Sequence, residues 1–243
     1  MIHDCHTHWG MQWSDPKKWL AVLDKHGIDK AFLMGGANLY DSGLCQQDND
    51  HLAQLTREYP DRFLPLGTAW PQHEKRGVAE AARCLEKLRM KGLKFHPYIQ
   101  GFSTAGVYLR EMCGLAGELK APVFFHDGTP TYSLPEQIGG LARKFPKTRF
   151  VLGHCGLIWE WRSALQAMRL PNVWGVLCGP HMRAIEIFCE RLDPDRLLWG
   201  SDFGWGLADQ IEYRYNVMLR SKIPDKLKER ILSVNPVRLL QYT

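Results

Sequence analysis

The chain has 243 residues, of which 45% are hydrophobic and 23% are charged, and its formal net charge is +5. This composition is ordinary for a globular protein and excludes a disordered, collagen-like or coiled-coil chain. Apolar runs are too short for a transmembrane helix, and basic residues alternate with acidic ones, so we expect neither a membrane nor a nucleic-acid partner. The start of the chain lacks an apolar signal core, and none of the seven cysteines forms a CxxC pair, which together favour the reducing cytoplasm.

Short apolar segments alternate along the chain with amphipathic segments of helical spacing. The predicted strands cover 2–8, 31–35, 63–70, 92–96, 122–126, 149–154, 172–178 and 196–202. The predicted helices cover 15–26, 46–59, 76–90, 106–120, 134–144, 158–169, 181–192, 207–220 and 225–233. Eight strand–helix units predict an α/β fold with a single (β/α)8 TIM barrel over residues 1–243. An open doubly wound sheet is the competing architecture, but no GxGxxG or Walker sequence follows the first strand.

Polar residues stand at the ends of several predicted strands, where a parallel barrel carries its chemistry. They are His6, His8, Lys94, His96, His126, His154 and Asp202. Because strand side chains alternate, His6 and His8 point the same way and could chelate one ion, whereas Cys5 and Thr7 face the helices. Singly, a histidine here can be a hydrogen-bonded core residue, and Asp202 can be a helix N-cap. Together, imidazoles and a carboxylate predict a catalytic zinc ion, or a similar divalent ion, with an open position for water.

Six sequence blocks follow one another along nearly the whole chain. They are IHDCHTH at 2–8, GLKFHPYIQGF at 92–102, FHDGTP at 125–130, FVLGHCG at 150–156, LLWGSDFGW at 197–205 and NPVRLL at 235–240. In this order the blocks resemble the amidohydrolase superfamily. More narrowly, they resemble its amidohydrolase-2 branch of hydrolases and decarboxylases, which includes amino-carboxymuconate-semialdehyde decarboxylase.

The resemblance implies a role for each polar strand end. His6, His8 and His126 would bind the metal ion, with Asp202 as the remaining ligand or as the base that takes a proton from the bound water. His154 would bind a second ion or polarise the water and the substrate. Lys94 would bridge two ions as a carboxylated lysine or, in the one-metal arrangement expected for this branch, face an anionic group of the substrate. The expected catalytic residues are thus Asp202, His154 and Lys94.

The expected activity is that of a metal-dependent hydrolase acting on a small cyclic or aromatic carboxylate. Metal-activated water would attack an ester, lactone or amide carbonyl of that substrate. The alternative is a metal-dependent decarboxylase of an aromatic or unsaturated acid, because the same ligands suit both reactions. A metal-stabilised binding protein without activity is a third interpretation.

Six of the nine tryptophans fall in loops that are predicted to surround the site, namely Trp9, Trp13, Trp70, Trp159, Trp161 and Trp205. Together they suggest a flat apolar wall for a ring-shaped substrate. An arginine near this wall could bind a carboxylate through two hydrogen bonds. The predicted substrate contacts combine aromatic, imidazole and cationic side chains: Trp9, Trp70, Trp205, His96, Lys94 and Arg183. An apolar stripe on the last helices could pack on the barrel or form the face of a homo-oligomer.

Overall fold

The computed structural model describes residues 1–10, 13–205 and 209–241. Eight parallel strands form one sheet, in which each strand pairs with the next in the sequence. They are β1 (His3–Trp9), β2 (Lys30–Gly35), β3 (Phe63–Gly67), β4 (Gly92–Phe95), β5 (Val123–Phe125), β6 (Phe150–Leu152), β7 (Val173–Val176) and β8 (Leu197–Leu198). Cys5 N donates to Trp199 O at 2.9 Å and His8 N donates to Phe203 O at 2.7 Å, so the first and last strands meet. The predicted (β/α)8 TIM barrel is confirmed.

The helices of the described residues alternate with these strands. They are α1 (Pro16–Lys25), α2 (Ala37–Tyr40), α3 (Cys45–Glu58), α4 (Glu74–Ala82), α5 (Pro97–Gln100), α6 (Val107–Glu118), α7 (Pro135–Lys144), α8 (Trp161–Ala167), α9 (Met182–Arg191), α10 (Asp209–Arg220), α11 (Asp225–Glu229) and α12 (Asn235–Leu240). A π-helical turn, Arg83–Lys87, continues α4, and a second, Arg230–Val234, joins α11 to α12. The first two residues of the predicted helix 207–220 lie outside the described residues.

Alternate strand residues belong to two separate apolar clusters. Phe32, Met34 and Phe124 pack in a smaller cluster inside the barrel. Their neighbours Leu33 and Phe125 join the larger cluster beneath the helices. Both sets follow from the two-residue period of a strand. At the C-terminal end of each strand, the alternate side chains that face the interior therefore converge at the mouth of the barrel.

The pairing of β1 with β2 changes register between Asp4 and Thr7. This irregularity places Cys5 in the interior cluster, so the prediction that Cys5 faces the helices is wrong. An extra residue in a strand interrupts the strict alternation on which that prediction rests. His6 and His8 still share the interior, because they follow the point at which alternation is lost.

Among the described residues, no helix combines the length and apolar character needed to cross a bilayer. All seven cysteines are free thiols, and six of them are buried. The thiols therefore pack as small apolar groups, and disulfides play no part in holding the barrel together.

Candidate metal centre

His6 and His8 extend from β1 into the mouth of the barrel, and both are buried. Their Nε2 atoms lie 3.2 Å apart. Oδ1 of Asp202, which follows β8, lies 3.6 Å from each of these two nitrogens. Ligand atoms that share an ion at about 2.0–2.1 Å are themselves roughly 3.0–3.4 Å apart. The spacing and chemistry of these two nitrogens and one oxygen therefore fit a single divalent metal ion.

The backbone around Asp202 is built to hold this spacing. Asp202 has a left-handed φ of 64°, a conformation that aspartate tolerates better than most residues, and its N–H donates to His6 O at 2.8 Å. The preceding Ser201 donates to the buried Asp4 carboxylate through its N–H at 2.9 Å and its hydroxyl at 2.5 Å. Burial raises the pKa of Asp4 to about 7, although the Ser201 hydrogen bonds oppose this shift. Asp4 thus joins β1 to the segment after β8, through the residue that precedes the ligand Asp202.

Lys94 lies next to the same ligand group, at the inner face of β4. Its Nζ lies 3.1 Å from Nε2 of His6, and the residue is only 1% exposed. Burial lowers the pKa of Lys94 to about 8, although the nearby Asp202 raises it. A neutral imidazole nitrogen has one lone pair. Nε2 of His6 can therefore accept a hydrogen bond from Lys94 or bind an ion, but not both at once.

Three more histidines surround the ligand group. The rings of His96 and His126 stack with centroids 3.8 Å apart and an interplanar angle of 11°. The ring of His154 lies 4.5 Å from that of His126 and 4.6 Å from that of His6. Burial holds the pKa of His154 far below its usual value and lowers that of His126 to about 3. At neutral pH these rings are therefore uncharged, which is the form that binds metals and accepts hydrogen bonds.

His126 is the predicted ligand that the structure does not bring into the three-atom group. Its Nε2 lies 2.8 Å from Oγ1 of Thr129, in the loop after β5. Within the described part of the chain, the ligand atoms that lie within 4.8 Å of one another belong to two groups: His6, His8 and Asp202, and His6, His154 and Cys178. A loop contact of this kind leaves no trace in strand periodicity. The role of His126 as a ligand stays a prediction.

The ligand group opens onto a small cavity of about 40 Å³, lined by His8, His96, His126, His154, Asp202 and Trp205. The Trp205 ring meets the His8 ring edge-on at 4.8 Å and stacks with Tyr40 at 5.7 Å. Nδ1 of His96 accepts a hydrogen bond from Ile99 N at 3.3 Å, which fixes the imidazole at the start of α5. The cavity thus combines flat rings with a single carboxylate. Two of the predicted substrate contacts, His96 and Trp205, line it, and Lys94 lies beside the ligand His6.

Trp9, in contrast, lies outside the cavity. It is the last residue of β1, and its ring packs against Trp19 at 5.8 Å and His51 at 5.7 Å. Trp9 follows His8 within a strand, so it must face the helices when His8 faces the interior. Its predicted role as a substrate contact is corrected on this ground.

Trp70 and Arg183 also lie away from the cavity. The indole N–H of Trp70 donates to Asn38 O at 2.9 Å. Arg183 is exposed and pairs with Glu186 and Glu190, each at 3.0 Å. Trp70 is thus bonded to α2, Arg183 pairs with two glutamates of its own helix α9, and neither side chain lines the cavity. Of the nine tryptophans, only Trp205 lines the cavity as far as the described residues define it.

Asp127 is a buried residue that the sequence analysis did not single out. Its Oδ1 accepts from His154 N at 2.6 Å and its Oδ2 accepts from Gly156 N at 2.5 Å. Burial raises the pKa of Asp127 to about 7, and these two hydrogen bonds work in the opposite direction. The carboxyl group thus holds the loop that carries His154. The sequence feature that indicates a role for Asp127 is its position directly after His126 in the FHDGTP block.

The family model for amidohydrolases matches residues 3–241. This chain belongs to the amidohydrolase family. A curated relative is the 2-amino-3-carboxymuconate-6-semialdehyde decarboxylase of Dictyostelium discoideum, which is 31% identical over 103 residues. That match covers 40% of this chain and 29% of the relative, so this amidohydrolase aligns with less than a third of the relative's length.

Solved structures give the same fold over the whole chain. The 2,6-dihydroxybenzoate decarboxylase from Rhizobium has a TM-score of 0.79 at 17% identity, covering 99% of this chain and 98% of that one. A dihydroxybenzoic acid decarboxylase from Polaromonas sp. JS666, solved with manganese and the inhibitor 2-nitroresorcinol, has a TM-score of 0.79 at 15% identity. That match covers 99% of this chain and 96% of the other. These similarities establish the shared barrel.

The comparisons correct the expected reaction. The curated relative is a decarboxylase, and so are the two structures described above. The prediction of a hydrolase is therefore wrong, and the relatives favour the decarboxylase alternative. The chain is an enzyme of the amidohydrolase superfamily, and the ligand group formed by His6, His8 and Asp202 supports a divalent metal ion as its cofactor.

Proposed function

We propose that this amidohydrolase is a metal-dependent decarboxylase of a small aromatic or unsaturated carboxylic acid. One observation carries the proposal: a ligand group for a divalent ion opens onto a cavity walled by flat rings. The decarboxylases that share the fold support the reaction, and one of them is described with 2,6-dihydroxybenzoate bound. A planar acid of this kind suits both the ligand group, which would meet its oxygens, and the flat rings, which would meet its plane.

The metal site would be formed by His6, His8 and Asp202, with His126 as the predicted further ligand. A divalent ion at this site would bind an oxygen of the substrate and withdraw negative charge from it. We propose one ion. Zinc is the predicted metal, and manganese, named for a structural neighbour, suits the same imidazole and carboxylate donors. Metal analysis of the purified protein distinguishes the two.

Lys94 and Trp205 would orient the substrate. The buried ammonium of Lys94 lies beside uncharged imidazoles and the Asp202 carboxylate, where little solvent screens it, so it attracts an anionic group more strongly than an exposed lysine would. The indole of Trp205 gives the planar part of the acid an apolar surface. The two contacts recognise a carboxylate attached to a flat unsaturated system.

Asp202 would supply the proton. Burial raises the pKa of its carboxyl group to about 6, although Lys94 lowers it. In the site without a metal ion, a protonated form is therefore accessible near neutral pH. The carboxyl group donates its proton to the substrate carbon that bears the carboxylate. The carbon–carbon bond then breaks, its electron pair returns to the unsaturated system, and CO2 leaves. Asp202 regains a proton from solvent, since its side chain is 21% exposed.

The decisive experiment measures CO2 release from a panel of hydroxybenzoic and unsaturated dicarboxylic acids by the metal-loaded protein. We expect release from at least one acid, its loss after chelation and its recovery when the metal is returned. Esters and lactones of the same acids serve as the comparison. Hydrolysis of those esters without CO2 release from any acid, at full metal occupancy, would contradict the proposal.

We further propose that the protein acts in the cytoplasm. Six buried free thiols support a reducing compartment, in which such thiols persist. A homo-oligomer also stays a prediction, which light scattering of the metal-loaded protein tests.

A further inference from the structure

Cys178 contacts two atoms of the segment that directly follows β6. It follows β7 with interior parity, packs in the interior cluster and is buried. Its Sγ lies 3.0 Å from Gly153 O and 3.2 Å from Nδ1 of His154. The thiol is therefore placed between a backbone carbonyl and the imidazole that lines the cavity.

The single hydrogen of the thiol decides the roles of these groups. Burial raises the pKa of Cys178 far above its usual value, so the group is a thiol. A carbonyl oxygen can only accept, and the S–H of Cys178 donates to Gly153 O. Sulfur then presents only lone pairs to Nδ1 of His154, and a contact at 3.2 Å requires that this nitrogen carry a hydrogen. The opposite orientation would leave sulfur lone pairs facing the carbonyl oxygen at 3.0 Å, which is repulsive.

We propose that Cys178 is a positioning residue that holds His154 in its Nδ1–H tautomer, so that Nε2 faces the cavity as a hydrogen-bond acceptor. The backbone supports this arrangement, because the main-chain N–H of His154 donates to Oδ1 of Asp127 at 2.6 Å. The ring is thus held through its main chain on one side and through Nδ1 on the other. In a neutral imidazole the second nitrogen is then an acceptor.

This inference rests on the proposed decarboxylase only for its consequence. An acceptor at Nε2 cannot deliver the proton that carbon receives, which leaves that role to Asp202. It can accept a hydrogen bond from a hydroxyl of the substrate. The site should therefore favour acids that carry a hydroxyl group near the carboxylate over the same acids without one.

The tautomer is measured directly by NMR of zinc-loaded protein with 15N-labelled histidine. Two-bond correlations between ring nitrogens and ring carbon-bound protons distinguish Nδ1–H from Nε2–H, and the His154→Gln variant identifies the signals of His154. We expect Nδ1–H in the wild type and in Cys178→Ser, which keeps a donor and an acceptor. In Cys178→Ala we expect the Nε2–H form to appear. Cys113→Ala is the matched control, because Cys113 is equally buried but lies in the outer cluster.

An Nε2–H tautomer in the wild type, or an unchanged His154 spectrum in Cys178→Ala, would overturn the inference. Kinetics provide a second readout. Cys178→Ala should lower kcat/KM about tenfold for hydroxylated acids, the value of one hydrogen bond, and much less for acids without the hydroxyl. Because the NMR measurement needs no substrate, it stands whether or not CO2 release is found.

Discussion

Nζ of Lys94 lies 3.1 Å from Nε2 of His6, the same nitrogen that faces His8 and Asp202. A buried ammonium and a divalent cation would thus be neighbours in this barrel. Their repulsion weakens metal binding, but the ammonium also attracts an anionic substrate to the metal. Because Lys94 is almost fully buried, solvent screens neither effect strongly.

Replacing Lys94 with methionine should separate these two effects. Like charges about 4 Å apart at an effective dielectric constant of about 20 repel by several kcal/mol. Lys94→Met should therefore tighten metal binding at least tenfold and lower kcat/KM by about 10²–10³. Titration calorimetry and steady-state rates measure both effects. Lys91→Met is the matched control, because Lys91 is exposed at the start of β4. Unchanged metal affinity in Lys94→Met would contradict the proposed neighbour relationship.

Alanine variants should divide the histidines into ligands and neighbours. His6→Ala and His8→Ala each remove one nitrogen of the three-atom ligand group, so both proteins should lose most of their metal in elemental analysis. His51→Ala, which changes an exposed histidine beside Trp9, should keep it. His126→Ala is the informative case. Loss of metal would make His126 a ligand, and full occupancy would leave it as the partner of Thr129.

Asp202→Asn should reduce turnover far more than metal content. Asparagine keeps an oxygen for the ligand group but cannot transfer a proton, so kcat should fall by about 10²–10⁴. Rates and metal content are measured on the same preparations. Asp225→Asn, at a side chain that is 99% exposed, controls for loss of surface charge. Near-normal turnover in Asp202→Asn would remove this residue from the proton-transfer step.

Glu80 should make the stability of the barrel depend on pH. Burial would raise the pKa of this carboxyl group, but hydrogen bonds from Arg83, Asn49 and Gln46 outweigh it and lower the pKa below its usual value. Because the folded protein binds the proton less readily than the unfolded chain, this stabilisation is present at neutral pH and is lost as the pH falls below about 4.3.

Urea unfolding of Glu80→Gln tests this assignment. At pH 7 the substitution should cost about 1–3 kcal/mol, because it weakens hydrogen bonds to a charged acceptor. The difference from the wild type should shrink as the pH approaches 4. Glu86→Gln, at an exposed position four residues before Met90, should show neither effect. A difference that grows on acidification would reverse the sign of the proposed pKa shift.

Strand periodicity predicted the eight strands and the shared direction of His6 and His8, because both depend on local alternation. The same rule excludes Trp9 as a substrate contact once the first strand is taken to residue 9, one residue beyond the predicted strand 2–8. Contacts across the barrel do not follow from strand periodicity. Asp4 with Ser201, His126 with Thr129, and Cys178 with His154 depend on how loops close over the strand ends. No sequence spacing encodes such distances, so the positions of the histidines were predictable but their partners were not.

Trp205 lines the cavity whereas Trp70 does not, so the two residues should differ in their effect on substrate binding. Trp205→Ala should raise KM for an aromatic acid by about tenfold or more, since a stacking ring contributes about 0.5–1.5 kcal/mol beyond its buried area. Trp205→Phe should recover part of the loss, because it restores a smaller ring. Trp70→Ala is the matched control and should leave KM within about twofold, as a change remote from the substrate usually does. If the two alanine variants raise KM equally, the effect comes from loosened loops, and the indole of Trp205 does not bind the substrate.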